Sequence, residues 1–166
     1  MKYRQRRKAQ QASQHLQEAD QAFSRGDLDA AVEHYATALD LYERLEDRRL
    51  QAKTHDVLGD LRRRLGDLDG AAGHFHAALG LYEQLPDTLG QGNTQHSLGD
   101  LARHQGDMGG AAGHYGTALA LFGRVRDRGM QAGTSHALGE LARFRGDLDG
   151  ADRHNRTALT LFGKGR

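Results

Sequence analysis

The chain has 166 residues, and 23 Lys and Arg side chains almost balance 22 Asp and Glu, which leaves a formal net charge of +1. This length suits one domain, and so small a net charge gives no support for nucleic-acid binding. The sequence contains no cysteine, which excludes disulfide scaffolds, cysteine-zinc sites, thiol nucleophiles and iron–sulfur clusters.

A basic lead, residues 1–10, opens the chain. Residues 1–8 carry five Lys or Arg and no acid. No apolar stretch follows the lead, and no run of about 18 apolar residues occurs anywhere, so we expect neither a secretory signal nor a membrane span and predict a cytoplasmic protein. The lead forms either a solvated extension of the first helix or a contact with nucleic acid or an acidic membrane surface.

Four copies of one sequence unit follow the lead. The segment Leu-Gly-Asp-Leu at 58–61 recurs at an offset of 40 as residues 98–101 and, with Glu for Asp, as residues 138–141. Self-similarity at a fixed period is the sequence signature of a repeat architecture. We therefore predict a single domain over 1–166, with repeats at 11–50, 51–90, 91–130 and 131–166.

Each repeat is predicted to hold two helices. In the second repeat, apolar residues fall at helical spacing on both sides of Gly66-Asp67. Gly66 suits the left-handed residue that ends a helix, and Asp67 suits the cap of the next one. Because Gly-Asp recurs in all four repeats, we predict eight helices of about 14–18 residues and no sheet.

Glycine is unusually frequent, with 22 residues against an average share of roughly 7%. Those at the Gly-Asp corners, and at Gly59 and Gly99, are interpreted as turn and close-packing positions. Others, such as Gly73 and Gly113, fall inside predicted helices. Each of these should cost about 0.8–1 kcal/mol relative to Ala, which predicts a soft structure, softest in the third repeat.

The repeat columns resemble the tetratricopeptide repeat (TPR). The second repeat carries the family's pattern as Leu58-Gly59, Ala71, Phe75 and Ala78. The resemblance implies an all-α fold, a right-handed α-solenoid of four TPR-like helix-turn-helix repeats. It also implies that the first helix of each repeat lines a concave groove and that the chain is a protein-protein interaction scaffold that binds a peptide or protein partner there.

Three features depart from the family's pattern. Glu18-Ala19 stands where Leu-Gly is expected in the first repeat, and Asn155 replaces the aromatic residue in the fourth. The unit of 40 residues is longer than the usual roughly 34. It resembles the subgroup found in scaffold proteins and in the C-terminal arrays of large bacterial transcriptional regulators.

Charged side chains recur along the first helices. An acidic column contains Asp20, Asp60, Asp100 and Glu140, and a basic column lies three residues further along the chain. The two columns form either intrahelical ion pairs or a mixed-charge groove for a peptide. The predicted groove residues are Asp56, Asp60, Arg63, Arg64, His96, Asp100, Arg103, His104, His136, Glu140 and Arg143.

Histidines form two patterns. One column, at 34, 74, 114 and 154, is interpreted as partly buried packing residues, because stacked units about 10 Å apart cannot share ligands at about 2 Å. The second pattern leaves metal binding open and consists of His96, Asp100 and His104 on one predicted helix with His136 and Glu140 on the next pair. No metal ligand and no cofactor is assigned.

The sequence contains no phosphate loop, nucleophile elbow or His-Glu-x-x-His motif, so we predict no enzyme. The alternative to a groove-binding scaffold is a regulatory or self-assembling helical-repeat module. No extra polar helix covers the last repeat, and terminal repeats normally need a solvated outer face. That alternative makes the chain a fragment of a larger bacterial regulator or an end-to-end homo-oligomer that docks through its C-terminal repeat.

Overall fold

The computed structural model describes residues 2–163 and confirms the predicted all-α architecture. Eight helices account for the described residues apart from three-residue turns, and no strand occurs among them. Residues 164–166, where the sequence predicts the open end of the last repeat, lie outside the described residues. The helices are α1 (Lys2–Ser24), α2 (Leu28–Arg44), α3 (Arg48–Arg64), α4 (Leu68–Gln84), α5 (Thr88–His104), α6 (Met108–Arg124), α7 (Arg128–Phe144) and α8 (Leu148–Gly163).

The first helix is longer than predicted, because the basic lead continues it. α1 has 23 residues, whereas α2 to α7 have 17 each and α8 has 16. Side chains 3–7 are exposed. The described part of the lead is thus a helical extension of α1 with exposed side chains at 3–7, and its contact with nucleic acid or an acidic membrane surface stays a prediction.

The Gly-Asp corners have the predicted conformation. Gly26, Gly66, Gly106 and Gly146 have φ between +79° and +83°, which a residue without Cβ adopts at little cost. Asp67 then accepts a hydrogen bond from the backbone N–H of Gly70 at 2.9 Å, which satisfies one of the free donors at the start of α4. Aspartates also cap α3, α5 and α7 at the joints between repeats.

The chain divides into two compact units on either side of the Pro86–Asp87 bond. The first unit contains α1 to α4, with α2 packed on α3, and the second contains α5 to α8, with α6 packed on α7. In each unit the most extensive contacts join the two helices of one repeat. Each repeat is therefore a helix pair that packs on the next pair in its unit.

An aromatic ring is buried at the tightest point of the second and third helix pairs. Phe75 and Tyr115 are fully buried, and a Cβ added to Gly59 or Gly99 would lie only 2.6 Å from the corresponding ring. These contacts confirm the predicted close-packing role of the two glycines. By contrast, nothing lies within 4 Å of a Cβ added at Gly73, Gly80, Gly113, Gly116 or Gly133.

This contrast predicts opposite effects for the same substitution on neighbouring helices. Gly113→Ala should raise the free energy of unfolding by about 0.8–1 kcal/mol, because only helix propensity changes. Gly99→Ala should lower it by about 1–3 kcal/mol, because the buried Tyr115 ring must move. Urea unfolding followed by circular dichroism measures both values. Equal effects of the two substitutions would contradict the packing described here.

A second recurrent contact joins the two helices of a repeat through histidine. Residues 34, 74, 114 and 154 are all partly buried, as predicted. The Nδ1 atoms of His55 and His74 lie 2.9 Å apart, and burial lowers the pKa of both rings. The equivalent contact joins His15 to His34 in the first repeat and Gln95 to His114 in the third.

The lowered pKa values predict a pH-dependent stability. Between the ordinary pKa of 6.5 and the lower folded values, the unfolded chain binds more protons, so stability is full above about pH 7 and falls with acidification. His55→Gln, which copies the Gln–His pair of the third repeat, should reduce this loss. The exposed His76 on α4 offers the control His76→Gln, which should leave the loss unchanged. Urea unfolding at several pH values tests this, and identical pH profiles for wild type and His55→Gln would contradict it.

Candidate partner-binding site

The charged columns form the predicted ion pairs within the first helices. The pairs are Asp60–Arg63 at 3.0 Å, Asp100–Arg103 at 3.8 Å and Glu140–Arg143 at 3.0 Å. Such pairs contribute only a few tenths of a kcal/mol each. They order the side chains along each helix but do not by themselves mark a binding site.

The acidic column has a second role that its spacing did not indicate. The Tyr115 hydroxyl of α6 donates a hydrogen bond to Asp100 of α5 at 2.5 Å, and Tyr35 of α2 donates one to Asp20 of α1. Burial, together with the hydrogen bond and charge of Asp100, raises the pKa of Tyr115 to about 12. Each of these two carboxylates therefore links the two helices of its own repeat.

The other two acids of the column have no such tyrosine. Phe75 and Asn155 occupy the equivalent position in the second and fourth repeats. Asp60 and Glu140 each line a surface depression. Asp20 also lines a depression, so Asp60 and Glu140 differ from it in having Phe75 and Asn155 in place of the tyrosine.

In the first unit, the depression lies between the first helices of consecutive repeats, α1 and α3. The exposed Phe23 and Val57 form its apolar part. The Arg64 guanidinium carbon lies 5.4 Å from the centre of the Phe23 ring, a distance at which a cation is attracted to the ring face. With Tyr35, Asp60 and Leu61 these residues enclose about 130 Å³.

The second unit has an equivalent depression between α5 and α7. It is lined by Arg103, Met108, Glu140, Leu141 and Phe144 and has a volume of about 380 Å³. Phe144 is 75% exposed, an unusual fraction for so large an apolar side chain. The surface therefore presents an aromatic ring, an arginine and a carboxylate beside a leucine, as in the first unit.

The two depressions use the same residue types at exchanged positions. At an offset of 80, Phe23 corresponds to Arg103, and Arg64 corresponds to Phe144. Asp60 and Leu61 correspond to Glu140 and Leu141. We call these two sets the aromatic–arginine clusters: Phe23, Asp60, Leu61 and Arg64 in the first unit, and Arg103, Glu140, Leu141 and Phe144 in the second.

A further depression of about 410 Å³ lies between α7 and α8. Its polar lining includes His136, Glu140 and Arg143, and its apolar lining includes Leu159 and Phe162. Glu140 thus borders two depressions, one on each side of α7. This arrangement brings together three of the predicted site residues of the fourth repeat.

The remaining predicted residues are more dispersed. Asp56 is partly buried on α3, and His104 is exposed on α5. His96 Nδ1 lies 3.1 Å from Thr134 Oγ1 of α7, and its Nε2 is 4.0 Å from Asp100. These distances place His96 at the contact between the third and fourth repeats.

The second histidine pattern of the sequence, for which metal binding was a possibility, does not form a cluster of ligand atoms among the described residues. Among residues 2–163, three ligand-type side chains converge only at His15, Glu18 and His34 of the first repeat. His96 is near one acid, Asp100, at a distance that is long for a shared ion. Histidines compared along a column of equivalent positions do not reveal a cluster that forms across one helix pair.

The aromatic members of the clusters were also missed. Phe23 stands in a column that otherwise holds arginine, and Phe144 stands in one that otherwise holds Ser24, Arg64 and His104. Each places an aromatic ring among charged and polar residues, and that change was the available signal in the sequence.

None of the helices in the described part of the chain combines the length and the apolar character needed to cross a bilayer.

Comparison with known proteins supports the fold. The tetratricopeptide-repeat family model matches residues 12–84, and no curated protein matches the chain. Aspartyl phosphate phosphatase F from Bacillus subtilis is 15% identical with a TM-score of 0.88, over 93% of this chain and 41% of that one. A Rap protein complexed with competence and sporulation factor is 17% identical with a TM-score of 0.76, over 92% and 44%.

BtubC (BKLC) from P. vanneervenii is 19% identical with a TM-score of 0.66, over 96% of this chain and 75% of that one. The chain spans less than half the length of the phosphatase and of the Rap protein. At these identities the likenesses concern the fold alone, and they agree with the predicted all-α solenoid of helix-turn-helix repeats. Residues 12–84 thus match the tetratricopeptide-repeat family, and solved structures match the fold of more than nine-tenths of the chain.

Proposed function

We propose that the chain is a non-catalytic scaffold that binds peptide segments of a partner along the first helices of its repeats. The observation that carries the proposal is the recurrence of the aromatic–arginine cluster in both units. An exposed ring beside an arginine and a carboxylate offers apolar contact, cation–π attraction and charged hydrogen bonds within one small area. Aromatic and arginine side chains are also the residues that most often dominate interface energies.

The chemistry of the clusters indicates the kind of segment that would fit. Phe144 offers an apolar contact, while Glu140 and Arg103 offer one acceptor and one donor group beside it. A segment with an apolar side chain next to a charged one matches this surface. The Rap protein complexed with competence and sporulation factor is a solved structure of this fold with a bound partner, which supports the same use here.

Selection from a phage-displayed library of random linear peptides tests the proposal. Peptides enriched on the full chain should lose affinity by at least about tenfold when Phe144→Ser removes the ring. Charge reversal with Arg103→Glu should have a similar effect, because it repels the carboxylates of a bound segment and removes a donor. Fluorescence anisotropy with synthetic copies of the enriched peptides measures both.

Leu148→Ser is the matched control. Leu148 is 67% exposed, close to the 75% of Phe144, but it belongs to neither cluster. This variant should bind the peptides as wild type does. Failure to enrich peptides over a chain-free support, or equal binding by Phe144→Ser and wild type, would overturn the proposed site.

Self-association is a second candidate function, favoured by the surface of α8. Leu148, Leu159 and Phe162 are 67%, 71% and 59% exposed, and apolar patches of this kind commonly mark interaction sites. Light scattering over a range of concentrations should show a dimer that Leu159→Ser weakens and Phe144→Ser does not. A monomer at every concentration would exclude this candidate.

A further inference from the structure

Three potential metal ligands converge in the first repeat. His15 and Glu18 lie three residues apart on α1, and His34 faces them from α2. The His15 Nδ1 atom is 3.3 Å from Glu18 Oε2, and the His34 Nδ1 atom is 3.2 Å from the same oxygen. The two Nδ1 atoms are 3.3 Å apart. The donor atoms therefore form a nearly equilateral triangle.

The size of this triangle is that of one face of a zinc coordination tetrahedron. Zinc binds histidine nitrogen at about 2.0–2.1 Å and carboxylate oxygen at about 2.0–2.2 Å, so tetrahedral geometry places neighbouring ligand atoms roughly 3.3–3.4 Å apart. We propose that His15, Glu18 and His34 bind a divalent zinc-type metal ion that links α1 to α2. Two neutral imidazoles and one carboxylate are suitable donors for such an ion.

The convergence favours a positive group between the donors. A neutral imidazole that carries its hydrogen on Nδ1 can donate it to the carboxylate. Two such hydrogens satisfy the two histidine–carboxylate contacts but leave the two Nδ1 atoms facing each other, whereas a cation at the centre is bound by all three donor atoms. The three side chains are each about one-third exposed, so a hydrated ion can reach them and solvent can fill a fourth position.

Comparison with the other repeats shows which ligand-type side chains are particular to the first one. Leucine stands at the position of Glu18 in each of them. The second repeat keeps the histidine pair, His55 and His74, without a carboxylate, and the third replaces the first histidine by Gln95. Only the first repeat therefore combines both imidazoles with an acid. Glu18 is one of the two residues that depart from the TPR pattern there, and the metal site gives that departure a chemical reason.

The site is independent of the proposed peptide-binding clusters, since it shares no residue with them. It joins two regular helices, so its ligands are held by rigid elements rather than by a loop. Binding of the ion to the folded chain stabilises the first helix pair, and the gain rises with the logarithm of the free ion concentration once that exceeds the dissociation constant. The expected consequences are a stoichiometric binding event and a rise in melting temperature.

Calorimetric titration of the metal-free full chain with zinc chloride tests this proposal, using substitutions that the chain already contains elsewhere. Wild type should bind one zinc ion. Glu18→Leu, the residue of the other three repeats, and His15→Gln, the residue of the third, should each weaken binding by at least about tenfold, since even outer-shell changes cost 10–100-fold. The control His55→Gln makes the same change at the equivalent position of the second repeat, and it should leave the affinity for zinc unchanged.

Two further measurements, cobalt absorption and melting temperature, complete the test. Cobalt(II) should give the intense visible absorption of a tetrahedral site in wild type, and Glu18→Leu should abolish it. Zinc should raise the melting temperature of wild type and of His55→Gln but not of Glu18→Leu, with circular dichroism confirming that every variant is folded. No heat of binding in wild type would overturn the proposal. Binding that His55→Gln weakens as much as His15→Gln does would overturn it as well, because the ion would then be held by scattered histidines.

Discussion

The close approach of the two helices in each pair is the contact on which the other features depend. At the crossing point, Gly59 meets the ring of Phe75 and Gly99 meets the ring of Tyr115, with no room for a Cβ in between. At these two positions the large buried ring occupies the space that a side chain would take, since cores tolerate neither voids nor overlap; in the first repeat Tyr35 packs in one cluster with Ala19. The next residue of the first helix is then brought within reach of the second helix. This geometry allows Asp100 to accept a hydrogen bond from the Tyr115 hydroxyl.

Because the backbone repeats at a fixed offset, single substitutions can change the chemistry at one position while the fold is kept. Glu18 replaces leucine and completes a set of ligand-type side chains in the first repeat. Phe144 stands where the other repeats have Ser24, Arg64 and His104, and it places an exposed ring beside Arg103. In a repeat protein the surface residues that differ between copies are therefore the candidates for individual roles, whereas those that recur mainly maintain packing.

The features that could be predicted from the sequence involve residues that are close together in the chain. The Gly66-Asp67 corner, the number of helices and the ion pairs three residues apart depend on neighbours within one turn. The contacts that were missed join residues 15 and 19 positions apart, such as Tyr115 with Asp100 and His15 with His34. Comparison at an offset of 40 aligns equivalent positions but does not indicate which positions of one repeat touch. Only the crossing of the two helices determines that.

Once the crossing is known, the two positions that His15 and His34 occupy can be followed through all four repeats, and the residues at them change along the chain. The contact involves two histidines and an acid in the first repeat, two histidines in the second, and Gln95 with His114 in the third. In the fourth repeat Ser135 takes the position of His15, and its buried hydroxyl has no hydrogen-bond partner among the described residues. A buried unpaired hydroxyl costs about 1–3 kcal/mol. This polar contact is therefore not what holds all four pairs together, and its most elaborate form, around Glu18, is the one that the proposed metal ion would complete.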